Sequence, residues 1–593
     1  MTLTKVRNQM ISGAAANVLD FGAVGDGVTD DTVAIQVWLN YCADNDTVGV
    51  LPKGIYAVNE LETQIPTGIR LAGEGTIRAT GANRLKLARF TRTRGRVEID
   101  GITFDGNNIA ARVVEIQNVD SDTNGIGSVW IGPNTRVINA KNTAPDTHTS
   151  TGLLVRGGLS DFVFEGEVDG VDSTSTSGAV TEGVAVNWLP DEAGDYVRSS
   201  VFTGNTRIRN VKNSNTVIAD ADGGKAFAPT LAVANFTVLG GALFENCQGR
   251  AIKSQVRNNT ITGLVIRRSS VALGGLGDGL GEIALQYSGG TVRDAKIFHD
   301  GAGVDSVISA TLRDTPDNPK VTIADNELTV LTVPATSTGK MVTIDATSDT
   351  VRIQGINVTG NKVQGAVDYL VRVRIPDIAD NLISIRDNWA ATINTAVLGT
   401  YRVLGGTPRL DINMTGNSCE AAAPLAVELS NTVVGPLSWR SNNNMPSYNA
   451  RLFAYANATL LNVTGDGTTT NLLFGTVRDD PTSGYNAANG FWSLPIGGDY
   501  KITVQLALLG LTASHTDCRL KLSHPTSQLN TIVDMNPAPL VTPGGRLVIS
   551  GTTTVSTAAT DGVRVQLIIS GGTKVVDIEA SAQSSFISVE PIF

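Results

Sequence analysis

The sequence predicts an all-β protein: a right-handed parallel β-helix (a single-stranded solenoid) with an N-terminal capping helix and a C-terminal β-sandwich. Three observations carry this prediction. The 593 residues include 63 glycines and only 17% charged residues, a composition typical of many short strands and tight turns. Strand-like segments recur at steps of roughly 25 to 34 residues, a period typical of solenoids. The recurrence fades after residues 441–447, where longer strands follow.

The first regular element is one amphipathic helix in DDTVAIQVWLNYC (30–42). Asp30 or Asp31 can cap its start. Its apolar face is formed by residues at i, i+3, i+4 and i+7, namely Ile35, Trp38, Leu39 and Cys42. Before it, Gly22, Gly25 and Gly27 predict turns. We expect the helix to cover the open end of the solenoid, where strand edges would otherwise be unpaired.

Alternating strands follow the helix and repeat along most of the chain. One set of equivalent positions is Phe202, Phe236, Ile261, Val292, Val321, Ile353, Ile383 and Ile412. Second strands lie between them, at 183–188, 251–255, 282–287 and 369–374. Two or three strands per period form one coil, which buries a Val/Ile/Leu stripe against its neighbours. A β-sandwich would instead give turns every ~8–12 residues without the longer period.

The last segment predicts a separate domain. From VTGDGTTTNLLF to SSFISVEPIF the strands are longer and lack the coil period, which favours a jelly-roll-like sandwich. The predicted domains are a leader at 1–16, the β-helix at 17–455 and the sandwich at 456–593.

Charge and cysteine content limit the partners and the compartment. The formal net charge of −10 argues against nucleic acid and anionic membrane as general partners. The basic stretch Arg84–Arg96 is interpreted as solvated strand faces. Four distant cysteines without a CxxC pair give no zinc or disulfide framework and suit a reducing cytoplasm. Without a secretory signal or ~18 consecutive apolar residues, we expect no membrane insertion.

NVLDFGAVGDGVTDDTVAIQVWL (17–39) resembles the opening of pectate-lyase-like right-handed β-helix proteins, above all bacteriophage tailspikes and capsule depolymerases. The leader at 3–23 resembles phage tail proteins, and VTGDGTT…YNAANGFWSLPIGGDYKITV is similar to the C1q/TNF-like jelly roll. The resemblance implies a homotrimer on the virion, made in the host cytoplasm. It further implies attachment to the phage tail, baseplate or an adaptor protein, and binding and cleavage of a bacterial surface polysaccharide (capsule, exopolysaccharide or O-antigen).

The stretch IADADGGKAF (218–227) holds the candidate catalytic residues. Stacked coils bring residues one period apart to neighbouring positions roughly 5 Å apart. We therefore expect Asp220 and Asp222 to lie beside Glu245. Glycoside hydrolysis needs two carboxyl groups, ~5 Å apart for retention or ~6.5–9.5 Å for inversion. Mutual repulsion would keep one carboxyl protonated, while a neighbouring cation holds the other ionised.

Other polar residues of the segment 218–290 are expected to bind the sugar. Arg suits a bidentate grip on a uronate carboxylate, and one tryptophan could stack on a sugar face. The predicted substrate-binding residues are Lys225, Arg250, Lys253, Gln255, Asp278, Glu282, Gln286, Tyr287 and, as a weak contact, Trp188. Trp130 and Tyr196 are further aromatic candidates, although a lone Trp in a β-helix is more often packing.

Several alternatives stay open. The polar positions could simply face solvent. A lyase would abstract the C5 proton of a uronate, for which Lys225, Lys253, Tyr287 and Arg250 are candidates. A calcium site at Asp220, Asp222 and Asp278 lacks the remaining ligands of a calcium loop, so no metal or cofactor is expected. Competing acid clusters are Glu165, Glu167, Asp169 and Asp172, and Asp191, Glu192 and Asp195. A non-catalytic adhesin or a structural tail fibre is the alternative outside enzymes.

Overall fold

The computed structural model divides the chain into two compact units. The first contains Met1–Pro376, Ser384–Leu398 and Ser418–Ala422, and the second contains Asp377–Ile383, Gly399–Asn417 and Ala423–Phe593. The residues that the structure describes are 14–82, 84–92, 94–117, 127–142, 150–172, 183–189, 197–212, 217–220, 235–247, 250–268, 281–286, 289–299, 306–312, 320–330, 340–346, 355–375, 381–402, 410–419, 425–430, 437–440, 452–480, 484–493, 498–523, 530–557 and 562–591.

The predicted helix is confirmed as α1, Thr32–Asp44, after a short 3-10 turn at Val18–Phe21. All four residues of its predicted apolar face are buried. Trp38 Nε1 donates to the Ala16 carbonyl at 2.8 Å. A Cβ on Gly49, in the first full strand, would collide with Trp38 and Cys42, so α1 packs directly on the first coil.

The two candidate capping residues take different roles. Asp30 Oδ1 accepts the Thr32 N–H at 3.0 Å at the start of α1. Asp31 instead accepts the N–H groups of Val24 and Gly25, at 2.7 and 3.1 Å. It thereby holds the glycine turn, in which Gly22, Gly25 and Gly27 all have positive φ.

Three strands per coil form three parallel stacks in the first unit, which confirms the predicted β-helix. The first stack contains Ala16–Asn17, Val48–Leu51, Gly68–Gly73, Arg96–Asp100, Gly127–Ile131, Leu159–Phe164, Val197–Phe202, Asn235–Val238, Asn258–Thr262, Gly289–Arg293, Lys320–Ala324 and Gly355–Thr359. Each strand pairs in parallel with the next strand of the same stack, as Ile261 does with Val292.

The second stack follows a short bend after each first-stack strand. It contains Asp26–Asp30, Ile55–Val58, Thr76–Ala79, Thr103–Asp105, Arg136–Lys141, Glu167–Asp172, Arg207–Val211, Leu243–Glu245, Val265–Arg268, Lys296–His299 and Glu327–Val330. The third stack contains Leu61–Gln64, Arg84–Thr91, Ala110–Gln117, Ser150–Arg156, Gly183–Leu189, Val217–Asp220, Ile252–Gln255, Gly281–Leu285, Ser306–Leu312 and Lys340–Ala346. The long strand Lys362–Ile375 joins both stacks, and Trp389–Arg402 pairs with Ser418–Cys419.

The core of the solenoid is built from side chains that repeat from coil to coil. Phe164 and Phe202 pack with ring centroids 5.5 Å apart, and Phe202 meets Phe236 at 5.5 Å. At a corner, a ladder of buried asparagines runs through Asn326, Asn361 and Asn388. These repeating contacts fix the register of successive coils.

The sequence alignment of coils is right about the stack but not always about the register. Phe202 pairs with Val238 rather than with Phe236, and Val292 pairs with Ile323 rather than with Val321. Both shifts are two residues, so the same face stays buried. Ile353 lies outside the described residues.

The second unit contains strands Leu410–Thr415 and Leu437–Arg440, which pair in parallel, Leu425–Ser430, and an antiparallel sandwich. One sheet contains Leu460–Thr464, Val576–Ile578, Gly498–Leu509, Phe586–Pro591, Leu452–Tyr455, Thr476–Asp479 and Leu547–Thr557; the other contains Tyr485–Asn486, Phe491–Ser493, Gly562–Ser570, Asp517–Ser523, Asn530–Met535 and Thr469–Asn471. A second 3-10 turn spans Ala538–Leu540. A core that includes Trp492, Ile502 and Leu567 fills the sandwich. Strand Leu452–Tyr455 lies just before the predicted domain boundary.

Candidate active site

The predicted catalytic segment is described only in part. Asp222 and Lys225 lie outside the described residues, as do Asp278 and Tyr287 of the predicted sugar contacts. The competing acids Asp191, Glu192 and Asp195 lie outside them too, together with Tyr196. Asp220 ends the third-stack strand Val217–Asp220, and its Cα pairs with that of Gln255 in the next coil. Its side chain is not among those described.

The expected contact between Asp220 and Glu245 is wrong. Glu245 ends the second-stack strand Leu243–Glu245. The residues paired with it on the adjacent strands are Arg209 and Arg267. Asp220 belongs to the third stack of the preceding coil, so the two residues lie on different sides of the solenoid. The sequence alignment matched Glu245 to the wrong strand of the preceding coil, because short alternating segments fit any of the three stacks.

The predicted sugar contacts of the third stack are mostly buried. Arg250 is 8% exposed, Gln255 9% and Glu282 2%. Lys253 and Gln286 are partly exposed, and the Gln286 backbone N–H donates to the Ser254 carbonyl at 2.7 Å. Their role in sugar binding stays a prediction.

Trp188 does not contact sugar, which corrects the prediction. Its side chain is 0% exposed and lies in a column between Val155 and Ala219. This column faces into the solenoid, because the flanking inward positions, Val186 and Val184, are equally buried. A fully enclosed indole contributes packing, not recognition.

A strip of alternating charge follows the outer face of the second stack. We call it the Arg209 strip and define it by Arg136, Glu167, Arg209, Glu245 and Arg267. Glu167 contacts Arg136 at 3.3 Å and Arg209 at 3.4 Å. Arg209 Nε lies 3.5 Å from Glu245 Oε2. One guanidinium therefore bridges two carboxylates, which relieves the repulsion between them.

The bridge fixes how far apart the two carboxylates lie. Glu167 meets Nη1 of Arg209, and Glu245 meets Nε of the same guanidinium. Because that group is small and planar, the two contacting oxygens are no more than about 9 Å apart. Their strands are two strand spacings apart, about 9.5 Å, and Glu167 lies two residues out of register with the Arg209–Glu245 column, so the two backbones are farther apart than that. This upper limit allows both the spacing of ~6.5–9.5 Å that inverting glycosidases use and the ~5 Å of retaining ones.

Neighbouring polar groups hold the strip in place. Asp169 accepts the Asn210 amide at 2.7 Å, and Asn246 donates to Asn210 at 3.3 Å. Arg207 donates to backbone carbonyls, including that of Gly241 at 3.0 Å. The strip is thus oriented by fixed contacts rather than by solvent-exposed side chains alone.

Sequence reasoning named Glu245 and placed Glu167 in a competing cluster, but it missed Arg209. The missing signal was the coil length. Asp172 and Lys212, on adjacent coils, are 40 residues apart, whereas Asn235 and Asn258 are 23 apart. A uniform period cannot align these segments.

A second ionic cluster occupies the third stack near the N-terminus. Lys86 contacts Glu60 and Glu62 at 3.3 and 3.0 Å, and Arg89 lies 3.8 Å from the buried Glu115. The Lys86 hydrogen bond, followed by the charges of Lys86 and Arg89, lowers the pKa of Glu62. The basic stretch is therefore ion-paired and largely covered at these positions rather than fully solvated.

The described ranges include histidine, cysteine, aspartate and glutamate side chains, which are the common metal ligands of proteins. These residues contain no group of three or more His, Cys, Asp or Glu side chains arranged to hold a metal ion. All four cysteines are free thiols, and burial raises the pKa of Cys42 to about 12. Within the same ranges, no helix has the length and apolar character needed to cross a membrane.

Comparisons with known proteins agree with the solenoid. Residues 15–221 match the family model described as rhamnogalacturonase A/epimerase, pectate lyase-like, so this part of the β-helix is similar to pectate-lyase-like proteins. A curated relative, the non-secreted LysM effector LysM19 of Penicillium expansum, is 29% identical over 142 residues, which cover 21% of this chain. The alignment spans only 11% of that relative's length.

Two solved structures match the chain at low identity. The Agl-KA catalytic domain has a TM-score of 0.31 and 14% identity, covering 72% of this chain and 68% of that chain. The globular domain of zebrafish complement 1qA has a TM-score of 0.18 and 14% identity, covering 24% of this chain and 98% of that chain.

Proposed function

We propose that the protein binds and cleaves a polysaccharide by glycosidic hydrolysis. The family match at residues 15–221, to proteins named for pectic polysaccharides, supports the substrate class. The observation that carries the chemistry is the carboxylate pair Glu167 and Glu245, bridged by Arg209. Glycoside hydrolysis requires two carboxyl groups, and of the two spacings that the contacts allow we propose the wider one, which belongs to inversion.

We infer a role for each carboxyl group from the number of cations that it contacts. Glu167 touches two guanidinium groups and Glu245 touches one. Glu167 therefore serves as the base that takes a proton from the attacking water, whose oxygen bonds to the anomeric carbon. Glu245 gives its proton to the glycosidic oxygen as the bond from that oxygen to the anomeric carbon breaks. Arg209 positions both groups and is not itself consumed.

The test is a pair of isosteric variants, Glu167→Gln and Glu245→Gln, assayed on purified capsule and O-antigen polysaccharides. New reducing ends and chain length by size exclusion report cleavage, and ultraviolet absorbance reports an unsaturated uronate. We expect each variant to lose at least about 100-fold in rate. The matched control is Glu327→Gln, a carboxylate of the same stack that pairs with Lys296 at 3.6 Å.

Four outcomes are distinguishable. Full activity in both glutamine variants would refute the assigned pair. If Asp220→Asn or Asp222→Asn loses activity and both glutamine variants keep it, the catalytic residues lie in segment 218–227 instead. Shortening with ultraviolet absorbance would identify a lyase, the alternative that uses a base such as Lys253. Tight binding without shortening would identify a non-catalytic adhesin.

We further propose that the protein acts as a homotrimeric phage tailspike on the virion, joined to the tail, baseplate or an adaptor protein. This context is supported by the resemblance of residues 3–39 to phage tail proteins and tailspikes, and by the similarity of the C-terminal segment to the C1q/TNF-like jelly roll, a trimerising module. Light scattering of the full chain should give three times 62.1 kDa. A monomer at micromolar concentration would contradict the trimer without touching the hydrolysis.

A further inference from the structure

Trp130 lies on the outer face of the first stack, whereas Trp188 is fully buried. It belongs to strand Gly127–Ile131 and is partly exposed. Its Cα pairs with Glu98 on one side and Val163 on the other. The indole Nε1 donates to Glu165 Oε2 at 2.8 Å. A hydrogen bond at one edge therefore fixes the ring of a partly exposed tryptophan, while Val163 supplies an apolar neighbour.

The Trp130 indole is linked to the Arg209 strip through Glu165 and one bend of the chain. Glu165 ends the first-stack side and Glu167 begins the second-stack strand, with Gly166 between them. A Cβ on Gly166 would lie 2.7 Å from the Thr135 carbonyl, so the bend needs glycine and stays tight. Two residues along the chain therefore connect the partner of Trp130 to the proposed base.

The charges around the indole are mainly negative. Glu98 and Glu165 are its carboxylate neighbours, and Asp100 lies two residues beyond Glu98 on the same strand. Arg96 forms an ion pair with Glu98, with Nε 2.6 Å from Oε1. Arg70, the other cation in the column, donates to Asp46. Glu165 and Asp100 form no ion pair with any residue in the described part of the chain, so a carboxylate ligand placed on this ring would face repulsion from them.

We propose that Trp130 forms a sugar-binding subsite that takes an uncharged pyranose and rejects a uronate. The proposal rests on the proposed function and names the substrate class of that same surface. The apolar C–H face of the pyranose stacks on the indole, and its hydroxyls donate to Glu98 and Glu165. A polymer lying on this subsite thus presents a neutral residue beside the carboxylate pair, where hydrolysis needs no uronate.

The experiment measures equilibrium binding by calorimetry with the full-length protein carrying Glu245→Gln, which separates binding from cleavage. The probes are pentasaccharides of neutral glucose, galactose and mannose, with pentagalacturonate and pentamannuronate as the charged set. Three further changes are compared in this background. They are Trp130→Ala, Glu165→Gln, and the control Trp389→Ala, which removes another partly exposed tryptophan of the solenoid.

We expect at least one neutral pentasaccharide to bind and the uronates to bind at least about tenfold more weakly. Trp130→Ala should weaken neutral binding about tenfold, and Trp389→Ala should leave it unchanged. Glu165→Gln should narrow the gap between neutral and uronate ligands. Absence of any neutral binding, equal loss in both tryptophan variants, or preferred uronate binding would each overturn the subsite.

Failure of the subsite and failure of the proposed hydrolysis give different results. If the parent chain cleaves polysaccharide but Trp130→Ala leaves KM and binding unchanged, the subsite is refuted and hydrolysis stands. If Trp130 supports neutral binding but no polymer is shortened, the subsite stands and hydrolysis is refuted.

Discussion

Replacing Asn361 by alanine tests whether the buried amide ladder holds the coils in register. The Asn361 side chain is 0% exposed. Its Nδ2 donates to the Ile323 carbonyl at 3.0 Å and to Asn388 Oδ1 at 2.8 Å. Its Oδ1 accepts from the backbone and side-chain nitrogens of Asn326, at 3.1 and 2.8 Å. One amide thus joins three successive coils.

The size of the effect follows from those four hydrogen bonds. Each buried hydrogen bond contributes about 1 kcal/mol net, so their loss costs about 4 kcal/mol. The polar atoms left behind in Asn326 and Asn388 are themselves buried. Water therefore cannot replace the lost hydrogen bonds and reduce the loss of stability. Because a solenoid unit contacts mainly its neighbours, the loss should be local.

Amide hydrogen exchange with mass spectrometry measures the opening free energy coil by coil. In Asn361→Ala we expect faster exchange in strands Lys320–Ala324 and Gly355–Thr359, with α1 unaffected. The control is Asn258→Ala, an exposed residue with one side-chain bond, to Asn235 at 2.9 Å. It should cost less than about 0.5 kcal/mol. If the two variants exchange alike, the ladder does not stabilise the stack and the reasoning fails.

Three other predictions concern packing, thiols and pH. Trp188→Ala should lower unfolding free energy by about 3–5 kcal/mol while leaving glycan affinity per folded molecule unchanged, as measured by thermal melts and calorimetry; lost affinity in the folded protein would contradict its place in the core. Cys42 and Cys518, whose pKa values burial raises to about 12, should resist iodoacetamide at about pH 8 until unfolding exposes them, and labelling of the native chain at either site would contradict this. The hydrogen bond from Lys86 lowers the pKa of Glu62, so Glu62 stabilises the fold above its unfolded pKa and this contribution is lost as pH falls through the folded value. Glu62→Gln should therefore destabilise by less than about 1 kcal/mol near neutral pH and not at all in strong acid, and an unchanged difference across a pH series of melts would rule this out.

Local patterns in the sequence predicted the elements that depend on local physics. The spacing of Ile35 and Trp38 on one helix face suffices to locate α1, because amphipathic periodicity belongs to a single segment. Gly22 and Gly25 likewise predict turns, and both have positive φ, a backbone conformation that favours glycine. The repeated strands predicted a solenoid, because alternation and period are both visible along the chain.

Register and stack assignment were beyond local pattern. Segments with the same alternation fit any of three stacks, and the coil lengths vary, so Glu245 was placed beside Asp220 rather than Arg209. Two tryptophans with similar flanking residues were equally ambiguous. Burial separated them, with Trp188 enclosed and Trp130 on the outer face.

Composition, periodicity and turn residues act over a few neighbouring positions, so they suffice to predict an all-β solenoid with a helical start and a separate strand-rich end. Which acids share a cation depends on how distant strands pair. Strand pairing joins residues such as Glu167 and Arg209 that are 42 apart, and the intervening loops set that distance without leaving a periodic trace.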